Sequence, residues 1–294
     1  MRCIWRSRNS RRIMNVRSGT ERGGPIGIFD SGLGGLTVYH AIRSKLPQYD
    51  YCYLGDTART PYGSRSFDTI YRYTLQGVKA LFEQGCPLLI LACNTASAKA
   101  LRTIQQRDLP QYFPGRRVLG VIRPSVERVG TLSQSRKVGL FGTSGTVRSE
   151  SYVLEFRKLF PDLVLYQEAC PMWVPLVENN ETATPAAEYF VRRHVDALMD
   201  REPDIDTIIL ACTHYPLLLP LIRKFVPGNV QIVNQGPEVA ERLEDYLQRH
   251  PEIEKQCLKN SRQRFLTTGT AEEFESLAAA FFPEPLNAEH IELG

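Results

Sequence analysis

Short apolar runs, each closed by glycine or small polar residues, alternate along this chain with longer stretches whose apolar residues recur at helical spacing. Unbroken runs at Leu88–Leu91 and Ile208–Ala211 read as strands buried on both faces, and Ile26–Phe29 and Tyr51–Leu54 read as short strands. Further strands are predicted at Val118–Ile122, Lys137–Phe141, Val164–Tyr166, Gln231–Val233 and Arg264–Thr267. Between them, helical periodicity covers Leu36–Leu46, Asp68–Gln84, Glu150–Phe160, Pro185–Asp200, Pro237–Gln248 and Ala271–Phe281. Shorter helices are expected through Ala98 and Ile104, after Pro124 and after Pro216. Gly85 and Pro87 stop the second helix. Strands alternating with helices predict α/β layers on parallel sheets.

One stretch is written twice. Leu88–Leu91 runs through Ala92 into Cys93-Asn94-Thr95, and Ile208–Leu210 runs through Ala211 into Cys212-Thr213-His214. Each thiol then sits where a strand ends and a helix begins, the end of an α/β sheet at which ligands bind. A strand, a Gly-rich turn and a helix lead up to each copy, as in a duplicated unit. The expectation is two similar α/β domains with mainly parallel sheets, related by pseudo-twofold symmetry, with the site in the cleft between them. Residues 25–117 and 231–294 form the first domain, the final segment crossing back, and residues 118–230 form the second.

At 294 residues the chain has room for two cores. Hydrophobic content of 43% and charged content of 23% are ordinary for a globular protein. No apolar run is long enough for a membrane span. Residues 1–24 hold seven arginines and one acid, a net charge of +6; removing it from the chain's +4 leaves −2, which argues against a nucleic-acid-binding body. That segment reads as a disordered basic tail, with a transit peptide or an early start codon before Met14 as alternatives. The seven cysteines (Cys3, Cys52, Cys86, Cys93, Cys170, Cys212 and Cys257) are scattered and include no C-x-x-C pair. Reduced thiols in a cytoplasmic protein are the expectation.

The turn Asp30-Ser31-Gly32-Leu33-Gly34-Gly35 fails as a dinucleotide fingerprint: Thr37 stands where a glycine is needed, and the Asp30 carboxylate would repel a pyrophosphate. It reads as a turn aiming Asp30 and Ser31 into a cleft. In the loop Gly55–Gly63, backbone N–H groups and the Tyr62 phenol are able to meet a small anion, though an ordinary turn has the same composition.

A single cysteine at a strand end is most simply a small buried hydrophobe. Two of them, each followed by hydroxyls, an amide or an imidazole, ask for more. A helix N-terminus is expected to lower a thiol pKa. A hydrolase needs one nucleophile and leaves the second cysteine unexplained. A metal site has Cys212 and His214 but no further ligands at recognisable spacing. Proton transfer on both faces of one carbon needs a matched pair, with Asp30 and His214 setting which thiol carries the proton. No lysine with a phosphate cup signals pyridoxal phosphate, so no cofactor is expected.

Five segments in order, Gly27–Val38, Tyr53–Arg59, Pro61–Gly63, Ala92–Ser97 and Cys212–Pro216, resemble the bacterial glutamate racemases of the aspartate/glutamate racemase family, and the likeness runs on to Thr267-Thr268-Gly269. The resemblance implies a cofactor-independent isomerase that interconverts L- and D-glutamate and supplies the D-isomer for peptidoglycan, frequently as a homodimer. It implies Cys93 and Cys212 as the proton-transferring pair, Cys93 acting on D-glutamate and Cys212 on L-glutamate. Asp30, Ser31, Tyr62, Gly63, Asn94, Thr95, Thr213 and His214 would bind or orient substrate, and Thr143, Thr146 and Glu178 lie in similar stretches. Two departures stand out: Asn234-Gln235-Gly236 replaces the usual Asp-Ser-Gly, and Arg123 stands where an acid is common. A racemase for aspartate or another amino acid, and a family member with an added protein-binding role directed at gyrase, remain open.

Overall fold

The computed structural model describes residues 23–294, so the expected tail falls outside the described residues except for Gly23 and Gly24. Gly24 already pairs with Cys257 in an isolated bridge, just ahead of the expected start at Pro25. Two all-parallel sheets follow. The first comprises β1 (Ile26–Asp30), β2 (Tyr51–Gly55), β3 (Leu88–Leu91), β4 (Arg117–Gly120), β9 (Gln263–Thr267) and β10 (Ala288–His290). The second comprises β5 (Lys137–Gly142), β6 (Val164–Ala169), β7 (Thr207–Ala211) and β8 (Gln231–Val233).

The strand order is β10-β9-β2-β1-β3-β4 in the first sheet and β6-β5-β7-β8 in the second. The inner order β2-β1-β3-β4 is thus repeated as β6-β5-β7-β8, which is the duplication seen in the sequence. In each, the chain leaves the first strand for one side and then crosses to the other. The crevice at that switch, between β1 and β3 and between β5 and β7, is where open α/β sheets place ligands.

Why these runs form central strands is visible in their burial. Leu88, Leu89, Ile90 and Leu91 are all buried, alternate residues entering different cores on the two faces. Ile208 and Leu210 likewise face one core while Ile209 and Ala211 face another. Each large aliphatic side chain so buried contributes roughly 1.5–3 kcal/mol. One continuous cluster includes Ile28 and Ile90 from the first sheet together with Ile208 and Leu210 from the second.

The helices include α1 (Leu36–Lys45), α2 (Phe67–Glu83), α3 (Asn94–Lys99), α4 (Ile122–Leu132), α5 (Ser144–Arg148), α6 (Ser151–Leu159), α7 (Trp173–Glu178), α8 (Pro185–Arg201), α9 (Leu219–Phe225), α10 (Gln235–Arg249) and α11 (Ala271–Ala278). Ser66 caps α2 by accepting from the Thr69 N–H, and Gly85 ends it in the left-handed region at φ +90°.

The crossings differ from the expected boundaries at 117/118 and 230/231. β4 pairs with β3 and belongs to the first sheet, so the chain leaves only after Gly120. β8 pairs with β7, so it returns only after Val233. The predicted strand Val118–Ile122 is also shorter, because α4 begins at Ile122. Among the described residues, no helix is long and apolar enough to cross a membrane.

Candidate active site

The candidate site residues gather at the C-terminal ends of β1, β3, β5 and β7. Asp30 is the last residue of β1 and fully buried. Its Oδ2 accepts from the Gly32 N–H at 2.9 Å, which closes the Gly-rich turn, and its Oδ1 accepts from the Thr213 hydroxyl at 3.5 Å. Burial raises its pKa, against the pull of His214 and of the turn N–H groups.

Cys93 follows β3 as the N-cap of α3. Its S–H donates to Ser31 Oγ at 3.4 Å, and the Ala96 N–H meets the sulfur at 3.4 Å. Burial, with the Asp30 carboxylate next in importance, pushes this thiol up to about 12. The expected lowering by the helix N-terminus is therefore overridden. α3 has six residues, and its one N–H contact is weaker than the loss of water around a buried thiolate.

Cys212 occupies the matching place after β7 and is also buried. His214 Nδ1 lies 3.9 Å from its sulfur, and His214 Nε2 lies 3.2 Å from Glu178 Oε1. The Thr60 hydroxyl donates to that same Glu178 oxygen at 3.3 Å, and the Phe281 ring stands edge-on to the imidazole. Glu178, at the end of α7, thus joins the 55–63 loop of the first sheet to the imidazole of the second. Burial works against an imidazolium here, but hydrogen bonding and attraction from Cys212 and Glu178 outweigh it and raise His214 to about 10. Because its folded value lies above its ordinary 6.5, this group stabilises the fold fully below pH 6.5 and loses that effect as the pH rises through 10. The difference in unfolding free energy between the parent and His214→Gln should therefore be largest near pH 6 and shrink toward pH 10. A difference that stayed constant over that range would contradict the ion-paired imidazolium.

The hydroxyls of Thr95, Thr143 and Thr146 converge. Thr95 lies 2.9 Å from Thr143 and 3.4 Å from Thr146, which are 3.1 Å apart. Gly63 abuts this group, its carbonyl accepting from the Gly145 N–H at 2.8 Å. Thr143 also N-caps α5.

Two expected contacts are directed elsewhere. The Tyr62 phenol donates to Asp56, whose carboxylate also receives Arg59 and the Thr268 hydroxyl, so it braces the loop from beneath. The Asn94 carboxamide is engaged at both ends: its N–H donates to Gln235 Oε1 at 2.6 Å and its oxygen accepts from the Tyr152 hydroxyl at 2.6 Å. What the Asn94 position leaves for a ligand is its main chain and one amide N–H. Sequence reasoning gave no role to Asp56, Thr60 or Tyr152. It met Gln235 only as an unusual residue.

The thiols, Asp30, Ser31, Thr213 and His214 are therefore brought together, with Glu178 and the three threonines on their flanks. Among the described residues no group of three His, Cys, Asp or Glu is placed to hold a metal. The six described cysteines are all unpaired. Arg123, the second departure, pairs with Glu127 at 3.0 Å and Glu155 at 3.8 Å on the surface.

Comparison with known proteins follows the same lines. The family described as Asp/Glu/Hydantoin racemase matches residues 35–243. A glutamate racemase of Roseobacter denitrificans is 42% identical, over 87% of this chain and 96% of that protein. A glutamate racemase isoform from Bacillus anthracis has a crystal structure with a TM-score of 0.84 at 33% identity, covering 93% of this chain and 99% of that one. That of Francisella tularensis, solved in complex with D-glutamate, gives a TM-score of 0.81 at 30% identity over 92% and 98% of the two chains.

Proposed function

The chain belongs to the Asp/Glu/Hydantoin racemase family, and from that premise we propose that it interconverts L- and D-glutamate by two-thiol proton transfer at the α-carbon. The observation that carries this reading is the pair of buried thiols, Cys93 and Cys212, at equivalent strand ends of a repeated sheet. With L-glutamate, the Cys212 thiolate takes the α-proton, and the electron pair passes into the carboxylate-stabilised carbanion. The Cys93 S–H then delivers its proton to the opposite face, leaving D-glutamate, a Cys212 thiol and a Cys93 thiolate. The raised pKa of Cys93 keeps that proton in place before the reaction begins. The His214 cation faces the Cys212 sulfur.

Asp30, Ser31 and Thr213 meet the α-amino and α-carboxylate groups, and Thr95, Thr143, Thr146 and the Gly63 main chain receive the side-chain carboxylate. Asn94 and Tyr62 hold the walls of the site. Glu178 orients His214. The same resemblance supports a cytoplasmic, cofactor-independent homodimer whose product serves peptidoglycan, with each pair of sheets forming its two domains about a pseudo-twofold axis.

The test is the α-hydrogen of glutamate in deuterated water. Its proton resonance should vanish as the opposite enantiomer forms, with no cofactor added. Inversion that required pyridoxal phosphate would defeat the mechanism, and faster exchange on aspartate than on glutamate would defeat the substrate assignment.

A further inference from the structure

Behind Cys93 lies a closed ring of neutral hydrogen bonds. Asn94 Nδ2 donates to Gln235 Oε1 at 2.6 Å, Gln235 Nε2 donates to the Tyr152 hydroxyl at 2.7 Å, and that hydroxyl donates to Asn94 Oδ1 at 2.6 Å. Gln235 Nε2 also donates to Ser125 Oγ at 2.6 Å, while the Ser125 hydroxyl gives its own proton to the Val121 carbonyl at 2.8 Å. The hydroxyl protons of Ser125 and Tyr152 are already committed, so both oxygens accept and residue 235 must donate twice. A carboxamide does this, and an ionised carboxylate does not.

The ring's location gives it meaning. Val121 lies at the first chain crossing and Gln235 at the second; Tyr152 belongs to α6 of the second sheet's layer, and Asn94 opens the helix of the first that carries Cys93. All four side chains, Asn94, Ser125, Tyr152 and Gln235, are buried. Both thiols are buried too.

We propose that Gln235 is a positioning residue, the centre of an inter-half joint that holds the Cys93 turn in register with both chain crossings. It acts through Asn94 and Tyr152 and does not touch the substrate. As a statement about catalysis it rests on the two-thiol racemase reading. Tyr152 is the titratable member of the ring, its phenol raised by burial, and Cys212 acts on it electrostatically.

The experiment uses the full chain with Gln235→Ala and Gln235→Glu. A misplacement of the thiol on the order of 1 Å lowers turnover by up to about 10²-fold. Gln235→Ala should thus lose kcat by about 10- to 100-fold with KM little changed. The enantiomers are equal in energy, so kcat/KM must fall equally for L- and D-glutamate. Gln235→Glu keeps the shape but has no donor when ionised, so its turnover relative to the parent should rise in part as the pH falls and protonation of the carboxyl restores one of the two donations. Either a kcat for Gln235→Ala within twofold of the parent, or a Gln235→Glu ratio independent of pH, overturns the proposal. If Gln235→Ala fails to fold by circular dichroism, the pH ratio of Gln235→Glu decides.

Should the parent itself leave glutamate untouched, the functional reading fails and the joint is tested separately. Alkylation of Cys93 by iodoacetamide, followed by peptide mass spectrometry, should then be about tenfold faster in Gln235→Ala, with Cys212 nearly unchanged. Equal rates at Cys93 in variant and parent overturn the joint.

Discussion

Replacing either Cys93 or Cys212 by alanine is expected to lower glutamate racemisation by about 10³-fold or more, the range for losing a positioned proton carrier. Among the described residues no other side chain has the place of either sulfur: Ser31 Oγ is 3.4 Å from Cys93, and His214 Nδ1 is 3.9 Å from Cys212. The fold should survive, because a buried free cysteine packs as a small hydrophobe and its truncation costs roughly 1 kcal/mol. The two variants should also differ from each other. Cys93→Ala keeps the thiol assigned to L-glutamate, which can remove the α-proton and return a solvent-derived one to the same face. That variant should exchange L-glutamate slowly with retention and leave D-glutamate alone, and Cys212→Ala should show the reverse. Measuring deuterium uptake in each enantiomer checks both points. Near-normal racemisation in either variant would remove that residue from the pair.

The strands that carry these thiols were legible because burial on both faces demands an unbroken apolar run, and Leu88–Leu91 and Ile208–Ala211 supply one. The repeated pattern around them corresponds to the repeated strand order. One edge strand carries no signal at all. β10 is Ala-Glu-His and largely exposed, and no apolar pattern announces it. β8 has three residues, and only its pairing with β7 assigns it to the second sheet, which is why the crossing was set too early. Side-chain destinations were least legible. Asn94 beside a cysteine looks like a ligand contact, yet its direction is decided by Gln235 and Tyr152 from distant parts of the chain. Likewise, the balance between burial and helix terminus at Cys93 is set by its burial and by Asp30 on another strand, neither visible in the local sequence.

The Gly-rich turn after β1 has a reason that spacing alone does not show, and Gly34→Ala should expose it. A Cβ at Gly34 would stand 2.5 Å from His214 Nδ1 and also strike the Thr213 hydroxyl. Neither neighbour yields freely: the Thr213 carbonyl accepts from the Thr37 hydroxyl at 3.2 Å, and His214 is held between Cys212, Glu178 and the Phe281 ring. One methyl group therefore has to move the imidazole away from the Cys212 sulfur. A shift on the order of 1 Å at such a contact lowers turnover by about 10²-fold. Overpacking of this kind costs about 1–3 kcal/mol in stability. The expected variant is thus folded and slow, its kcat reduced far more than its melting temperature would suggest. The loss should fall on the half-reaction that uses Cys212, so deuterium uptake into L-glutamate should slow more than uptake into D-glutamate under single-turnover conditions. Activity within threefold of the parent would mean that the turn passes His214 with room to spare, and that the glycines following Asp30 serve only to bend the chain.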